Sequence, residues 1–238
     1  MDRSTADTFA RGDIPADRLT WRPQLARRSG QQRTVTNPIC EPDWEGVHVL
    51  AHFDAGRRAP DGAAWLRFVD TEGEDVTERE AELVDPLRRA IVALDAIVDG
   101  FITDQATRTG EGATIAESMK TSHLGLLTNR FGEVIAAPIE GHDRDNLLAF
   151  VAVDLLRVDG QDLLDVPLLE RKRLLDGLVV VGDRVRISPY TRPPVKPWLL
   201  SWQASGFSGA VLKASNSRYR PTTVTEEWAV MSRLAGQR

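Results

Sequence analysis

The chain has 238 residues, 42% of them hydrophobic and 27% charged, the balance of a soluble globular protein with one large or two small folding units. Its net charge of −5 argues against autonomous nucleic-acid binding, which is driven by a positive excess. The single cysteine, Cys40, excludes an internal disulfide; no stretch approaches about 18 apolar residues and the opening MDRSTADTFARG has no apolar core, so a cytoplasmic location and no membrane partner are expected.

Residues 1–20 are polar and aperiodic and read as a flexible tail; 21–238 read as one domain. VHVLAHFD (47–54) is rich in Val and Leu and predicts a buried strand, and AAWLRFVD (63–70) a second one after the turn APDG. TEREAELVDPLRRAIVAL (77–94) predicts a helix capped by Thr77 with Glu80 three residues on, kinked or divided at Pro86. DAIVDGFIT (95–103) is a strand. EGATIAESMKTSHLGLLTNRFG (111–132) sets Ile115, Met119, His123 and Leu126 or Leu127 on one helical face, a core stripe. LLAFVAVDLLRVDG (147–160) is the longest apolar run and predicts a central strand closed by Asp-Gly. In DVPLLERKRLLDGL (165–178) Pro167 suits the first helical turn and Leu168, Leu169, Leu174, Leu175 and Leu178 form the buried stripe. VVVGDRVRIS (179–188) is a strand, RPPVKP (192–197) a stiff connector, and SGAVLKASNS (208–217) and EEWAVMSR (226–233) are the last strands. Interspersed strands and helices give an α+β or mixed α/β class.

Several of these segments carry a motif series in order: RPQLA, HFDAGR, VDTEGEDVT, VDGFIT, VAVDLLRVDGQDLLDVPLLERKRLL, FSGAVLKASNSRYRP and WAVMSR. The series resembles the adenylation (nucleotidyltransferase) domain of ATP-dependent DNA ligases, most of all the bacterial end-joining type, over about residues 21–232. HFDAGR stands where that family has K-x-D-G-x-R, VDTEGEDVT where it has S-R-N-G-x-D-x-T, and VDGFIT where it has D-G-E. FSGAVLK stands for E-G-V-V-x-K, and WAVMS for W-x-K-x-K. The resemblance implies an α+β fold: the two-layer antiparallel-sheet nucleotidyltransferase (ATP-grasp-like) fold of DNA ligase adenylation domains. The chain stops at the last motif, so no OB-fold domain is expected.

In that family a lysine amine attacks the α-phosphate of ATP, AMP passes to a DNA 5′-phosphate, and a 3′-hydroxyl displaces it. Phosphate charge builds in each step, so the chemistry depends on positioning and on cationic stabilisation. Aligned on the resemblance, the nucleophilic lysine is His52, the glycine of its turn Ala55, the second motif's arginine Thr71 and the metal-associated glutamate Phe101. The adenine-stacking aromatic is Val153, the next glutamate Ser208, and the two closing lysines Val230 and Ser232. Asp54, Arg57, Asp99, Gly100, Asp154, Gly209 and Lys213 remain. An apolar side chain can neither hold Mg²⁺ nor neutralise phosphate.

The expectation is therefore a ligase-like protein, from a family that joins DNA strands in repair and recombination, without a catalytic residue of its own. His52, Asp54, Arg57 and Lys213 are the candidate nucleotide contacts, and no metal ligand is expected. ATP or AMP would bind weakly and without Mg²⁺; DNA would bind weakly or through a partner protein. Asp54 and Arg57 could instead pair across a turn, Asp99 and Gly100 could be strand-end residues, and Asp154, set in an apolar run, needs a partner such as an Arg of the same sheet. Two other readings stay open: a working ATP-dependent ligase with a non-standard nucleophile, and an interaction module with a collapsed pocket. His123 and His142 have no zinc-type spacing, and no P-loop, Gly-x-Ser-x-Gly or Cys-x-x-Cys motif is present.

Overall fold

Apolar alternation builds two sheets, described in a computed structural model over residues 14–28, 35–105, 148–204 and 207–232. The strands are β1 (Leu25–Arg27), β2 (Pro38–Pro42), β3 (Val47–Arg58), β4 (Ala64–Asp70), β5 (Asp95–Thr103), β6 (Ala149–Val158), β7 (Gln161–Asp162), β8 (Val185–Ile187), β9 (Gly209–Ala214) and β10 (Val224–Ser232). The larger sheet runs β4-β3-β5-β6-β7 with antiparallel neighbours, and β8 joins β6 in parallel. The smaller runs β1-β10-β9-β2, antiparallel except for the parallel pair β1 and β10.

One face of the larger sheet packs Val49, Phe53, Val98 and Phe150 against helices α1 (Val84–Ala90) and α2 (Leu168–Leu178) through Leu87 and Leu175. The opposite face meets the smaller sheet in two further clusters. One gathers Cys40, Trp44, Val151 and Val153 with Trp202 of helix α3 (Lys196–Ala204) and with Phe207. The other joins Leu50, Ile97 and Leu156 to Tyr219 and Trp228. Ile14 belongs to that last cluster and Leu19 packs against it, so the stretch expected to be a loose tail touches the sheet at these two residues.

The strands expected at 47–54, 63–70 and 95–103 form with bounds within a few residues of those read, as does the central strand β6. The Asp159-Gly160 dipeptide closing β6 has positive φ at both positions, the two-residue hairpin turn that pairs Val158 with Gln161. Other expectations are corrected. Thr77 caps no helix: its hydroxyl accepts the Phe68 N–H and donates to Asp75, holding the 70–77 loop on β4. The helix begins at Val84, which puts Pro86 in its first turn, where its missing N–H costs nothing. Pro167 is the cap of α2 rather than part of its first turn. The buried face of α2 consists of Leu168, Leu175 and Leu178 together with Arg171 and Lys172, while Leu169 and Leu174 are only half-buried. Of 179–188 only Val185–Ile187 is strand, and the 192–197 connector gives way to α3 at Lys196. The helix expected over 111–132 lies outside the described residues.

Candidate functional site

A cavity of about 700 Å³ opens between the two sheets. From the larger sheet it is lined by His48, Asp99, Phe101 and Val153, and beyond the end of β4 by Thr71. From the other side come Ser208, Val211, Lys213, Trp228 and Val230. Alternation explains the convergence. His48 of β3 is the cross-strand partner of Phe101 of β5, and Asp99 lies two residues from Phe101 on the same face. A break in register between Asp99 and Gly100 leaves Val153 of β6 without a partner opposite and turns it toward the cavity.

His48 is held from two sides. Its Nε2 lies 2.6 Å from Asp99 Oδ1, and its ring stacks on Phe101 at 4.2 Å between centroids and 9° between planes. The other oxygen of Asp99 accepts the Tyr219 hydroxyl at 2.6 Å. Burial and the Asp99 charge push the Tyr219 phenol well above its ordinary range, so it stays a donor.

Lys213 of β9 is equally committed. Its Nζ lies 3.1 Å from Glu41 Oε2 and 4.3 Å from the centre of the Trp228 ring. Glu41 of β2 meets a second cation, Lys172 of α2, at 2.7 Å from Oε1. All three are buried. Burial lowers the Lys172 pKa, Glu41 opposes the shift and Lys213 adds to it. Beside Glu41, the Cys40 thiol is pushed up to about 12 by burial and by that carboxylate; it stays protonated and does not line the cavity.

The residues expected around the nucleophile position lie elsewhere. His52 is on the same face of β3 as His48 but four residues further along, fully buried below Arg18, whose carbonyl its Nε2 meets at 3.3 Å. Burial pushes its pKa down to about 4, so it is neutral. Asp54 accepts the backbone N–H groups of Gly56 and Arg57 at 2.8 and 3.0 Å, shaping the register break before the β3–β4 turn. The Arg57 guanidinium does not pair with Asp54; it lies over the Trp65 ring at 4.1 Å. None of these three lines the cavity; of the four candidate contacts only Lys213 does. Asp154 has its Arg, but from a helix: Arg171 of α2 binds both its oxygens, at 2.8 and 2.7 Å.

Thr71, Phe101, Val153, Ser208, Lys213 and Val230, which the motif series scatters over 160 residues of chain, thus line one cavity. A family model described as ATP dependent DNA ligase domain matches residues 28–231.

The chain belongs to that family.

It is 29% identical over 182 residues to a probable DNA ligase of Mycobacterium sp. (strain KMS), covering 76% of this chain and 30% of that protein. It is 24% identical over 206 residues to a DNA ligase of Pyrobaculum arsenaticum, covering 83% of this chain and 32% of that protein. The chain thus spans less than a third of the length of these relatives. Among solved structures, the ligase domain of M. tuberculosis LigD superposes with a TM-score of 0.58 at 19% identity, over 90% of this chain and 60% of that one. A mycobacterial DNA ligase D complexed with ATP and MES gives 0.56, also at 19%. These likenesses establish the α+β fold with its antiparallel sheets.

The cavity of this ligase-family domain is lined by ionisable side chains of both signs. Two of its carboxylates, Glu41 and Asp99, are engaged by Lys172 and Lys213 and by His48 and Tyr219. Among the described residues no group of three His, Cys, Asp or Glu side chains is arranged to hold a cation. Sequence reasoning missed His48, Glu41 and Lys172. The signal for the first was present: His48 and His52 share a strand face, and of the two only His48 lines the cavity. Glu41 and Lys172 meet only in the fold.

Proposed function

We propose that this is a ligase-like adenylation domain that carries out no adenylyl transfer, with the space between its sheets kept as a weak nucleotide-type site. The supporting observation is the clamped imidazole. The histidine facing the cavity is His48, and its ring is fixed by Asp99 and stacked on Phe101. His52, four residues further along the strand, does not line the cavity. The one lysine lining the cavity among the described residues, Lys213, is bound to Glu41. A nucleophile of the family type needs a free amine close to the α-phosphate and cations to take up developing charge. Thr71, Phe101, Val153 and Val230 give the wall a threonine and three apolar side chains in the places the resemblance assigns to charged or stacking groups. A cavity of about 700 Å³ supports this reading over the collapsed-pocket alternative. The test is turnover: the protein, ATP, Mg²⁺ and nicked duplex DNA are incubated, and pyrophosphate release and nick sealing are followed. The expected result is no signal above the protein-free background. Sealing above it would establish the alternative of a working ligase with a non-standard nucleophile.

A further inference from the structure

We propose that Ile14–Trp21 is a proton-controlled strap, closed over the larger sheet while His52 is neutral and lifted from it, without unfolding of the core, when His52 takes up a proton. Three kinds of contact hold the strap. Ile14, Leu19 and Trp21 pack with Leu50, Ile97 and Leu156 of the sheet. The Nε and Nη2 of Arg18 donate to Asp162 Oδ2 at 3.0 and 2.8 Å, and Asp162 also takes Arg157, which binds Asp95 at 2.7 Å. Between them the Arg18 carbonyl meets His52 Nε2 at 3.3 Å. A carbonyl accepts, so Nε2 carries the hydrogen and Nδ1 is where a further proton must go. Nδ1 is buried and has no hydrogen-bond partner among the described residues. A proton there makes a buried cation that needs water. β3 is paired on both sides, to β4 and β5, whereas Arg18 and Leu19 are half-buried in a single 3₁₀ turn, so the strap is the cover that yields.

The charged groups around the ring leave a proton on His52 without a partner. Burial, helped by its cross-strand partner Arg67 of β4, pushes the His52 pKa down, and the Arg18 carbonyl and the backbone of Leu50 and Arg67 oppose this without cancelling it. Arg67 is paired with Asp75. On β5, Asp95 and Asp99 flank Ile97, the other cross-strand partner, on the same face. Asp95 is bound to Arg157, and Asp99 to His48 and Tyr219. On β3 itself Asp54 accepts the N–H groups of Gly56 and Arg57, and on the strap Asp17 pairs with Arg18. Burial raises the Asp162 pKa, but Arg18 and Arg157 outweigh it and hold that carboxyl below its ordinary range, so the tether keeps its charge where His52 titrates. Three residues beyond Trp21, Gln24 lines the cavity and its N–H donates to the Tyr219 hydroxyl at 2.8 Å, so a released strap frees the chain leading to the cavity wall.

The experiment is hydrogen exchange of the full chain at about pH 7.5 and about pH 5, corrected for the intrinsic rate at each pH and read by mass spectrometry on peptides covering the strap and, as the core reference, β5. The N–H groups of Arg18, Leu19, Thr20 and Trp21 are each bonded to the carbonyl three residues back, so their exchange reports the strap. The strap is expected to open at least about tenfold more often than the core at both pH values. Its opening should rise roughly twentyfold from the higher to the lower pH, as follows from a ring at about 4 when closed and at its ordinary 6.5 when released. His52→Gln, which still donates to the Arg18 carbonyl but does not titrate, should abolish the rise. Arg18→Gln should increase opening several-fold at both pH values and leave the rise intact. Strap opening that is independent of pH, a rise that survives His52→Gln, or equal protection of strap and core overturns the proposal.

Discussion

His52 sets a pH limit on the fold. Burial holds its pKa at about 4, against an ordinary 6.5, so the unfolded chain takes up a proton that the folded chain refuses. Its contribution is complete above about 6.5 and is lost as pH falls toward 4, which amounts to roughly 3 kcal/mol for a shift of this size. Urea denaturation over that interval should show the loss, and His52→Leu, matching neighbours Leu50 and Ile97, should flatten the acid limb; an unchanged slope would show that other groups set it. The Asp154–Arg171 pair gives a second residue-scale test. Both side chains are fully buried, and Arg171 also donates to the carbonyls of Val166 and Ser217. Arg171→Met leaves a carboxylate alone in the interior and should cost about 3–5 kcal/mol in chemical denaturation, and Asp154→Leu combined with Arg171→Met distinctly less. The need for a partner at Asp154 was legible in its apolar run. The identity of that partner was not, because Arg171 reads as the polar face of an amphipathic helix until the helix is docked.

At the scale of elements, the strands whose apolar run ends in turn chemistry were legible, as β4, β5 and β6 show. The failures have local causes. Thr77 and Glu80 imitate a capping box, yet the Thr77 hydroxyl is taken by the backbone of β4, and tertiary contact outweighs the local signal. β1 and β2 are short and carry little periodicity; they exist because β9 and β10 offer them edges. Gly100 is a test of how tightly β5 and β6 pack. It lies inside β5, not at its end, and a Cβ there would stand 2.4 Å from Phe150 Cζ and 2.7 Å from the Val151 carbonyl oxygen. The ring can shift but the carbonyl cannot without breaking the ladder, so Gly100→Ala should destabilise by about 1–3 kcal/mol. Thermal denaturation checks it, and a neutral result would mean that the strands have room to separate.

For the whole molecule, the motif order was enough to bring out the family and the two-sheet fold, because the fragments other than HFDAGR mark strands or turns that line the same cavity. What the order could not place was the nucleophile position: HFDAGR fits the family pattern in letters, but its Asp54 and Arg57 shape the β3–β4 connection, and the cavity meets β3 at His48. The net charge of −5 carries a separate expectation. Fluorescence anisotropy with nicked duplex should give weak, steeply salt-dependent binding, well outside the roughly nanomolar range of specific DNA complexes at physiological salt. The central claim, that no side chain in the cavity takes up AMP, is tested most directly by intact-protein mass spectrometry after incubation with ATP and Mg²⁺, followed by peptide mapping of any shifted species. The account predicts an unchanged mass; an AMP adduct mapped to His48 or Lys213 would contradict it.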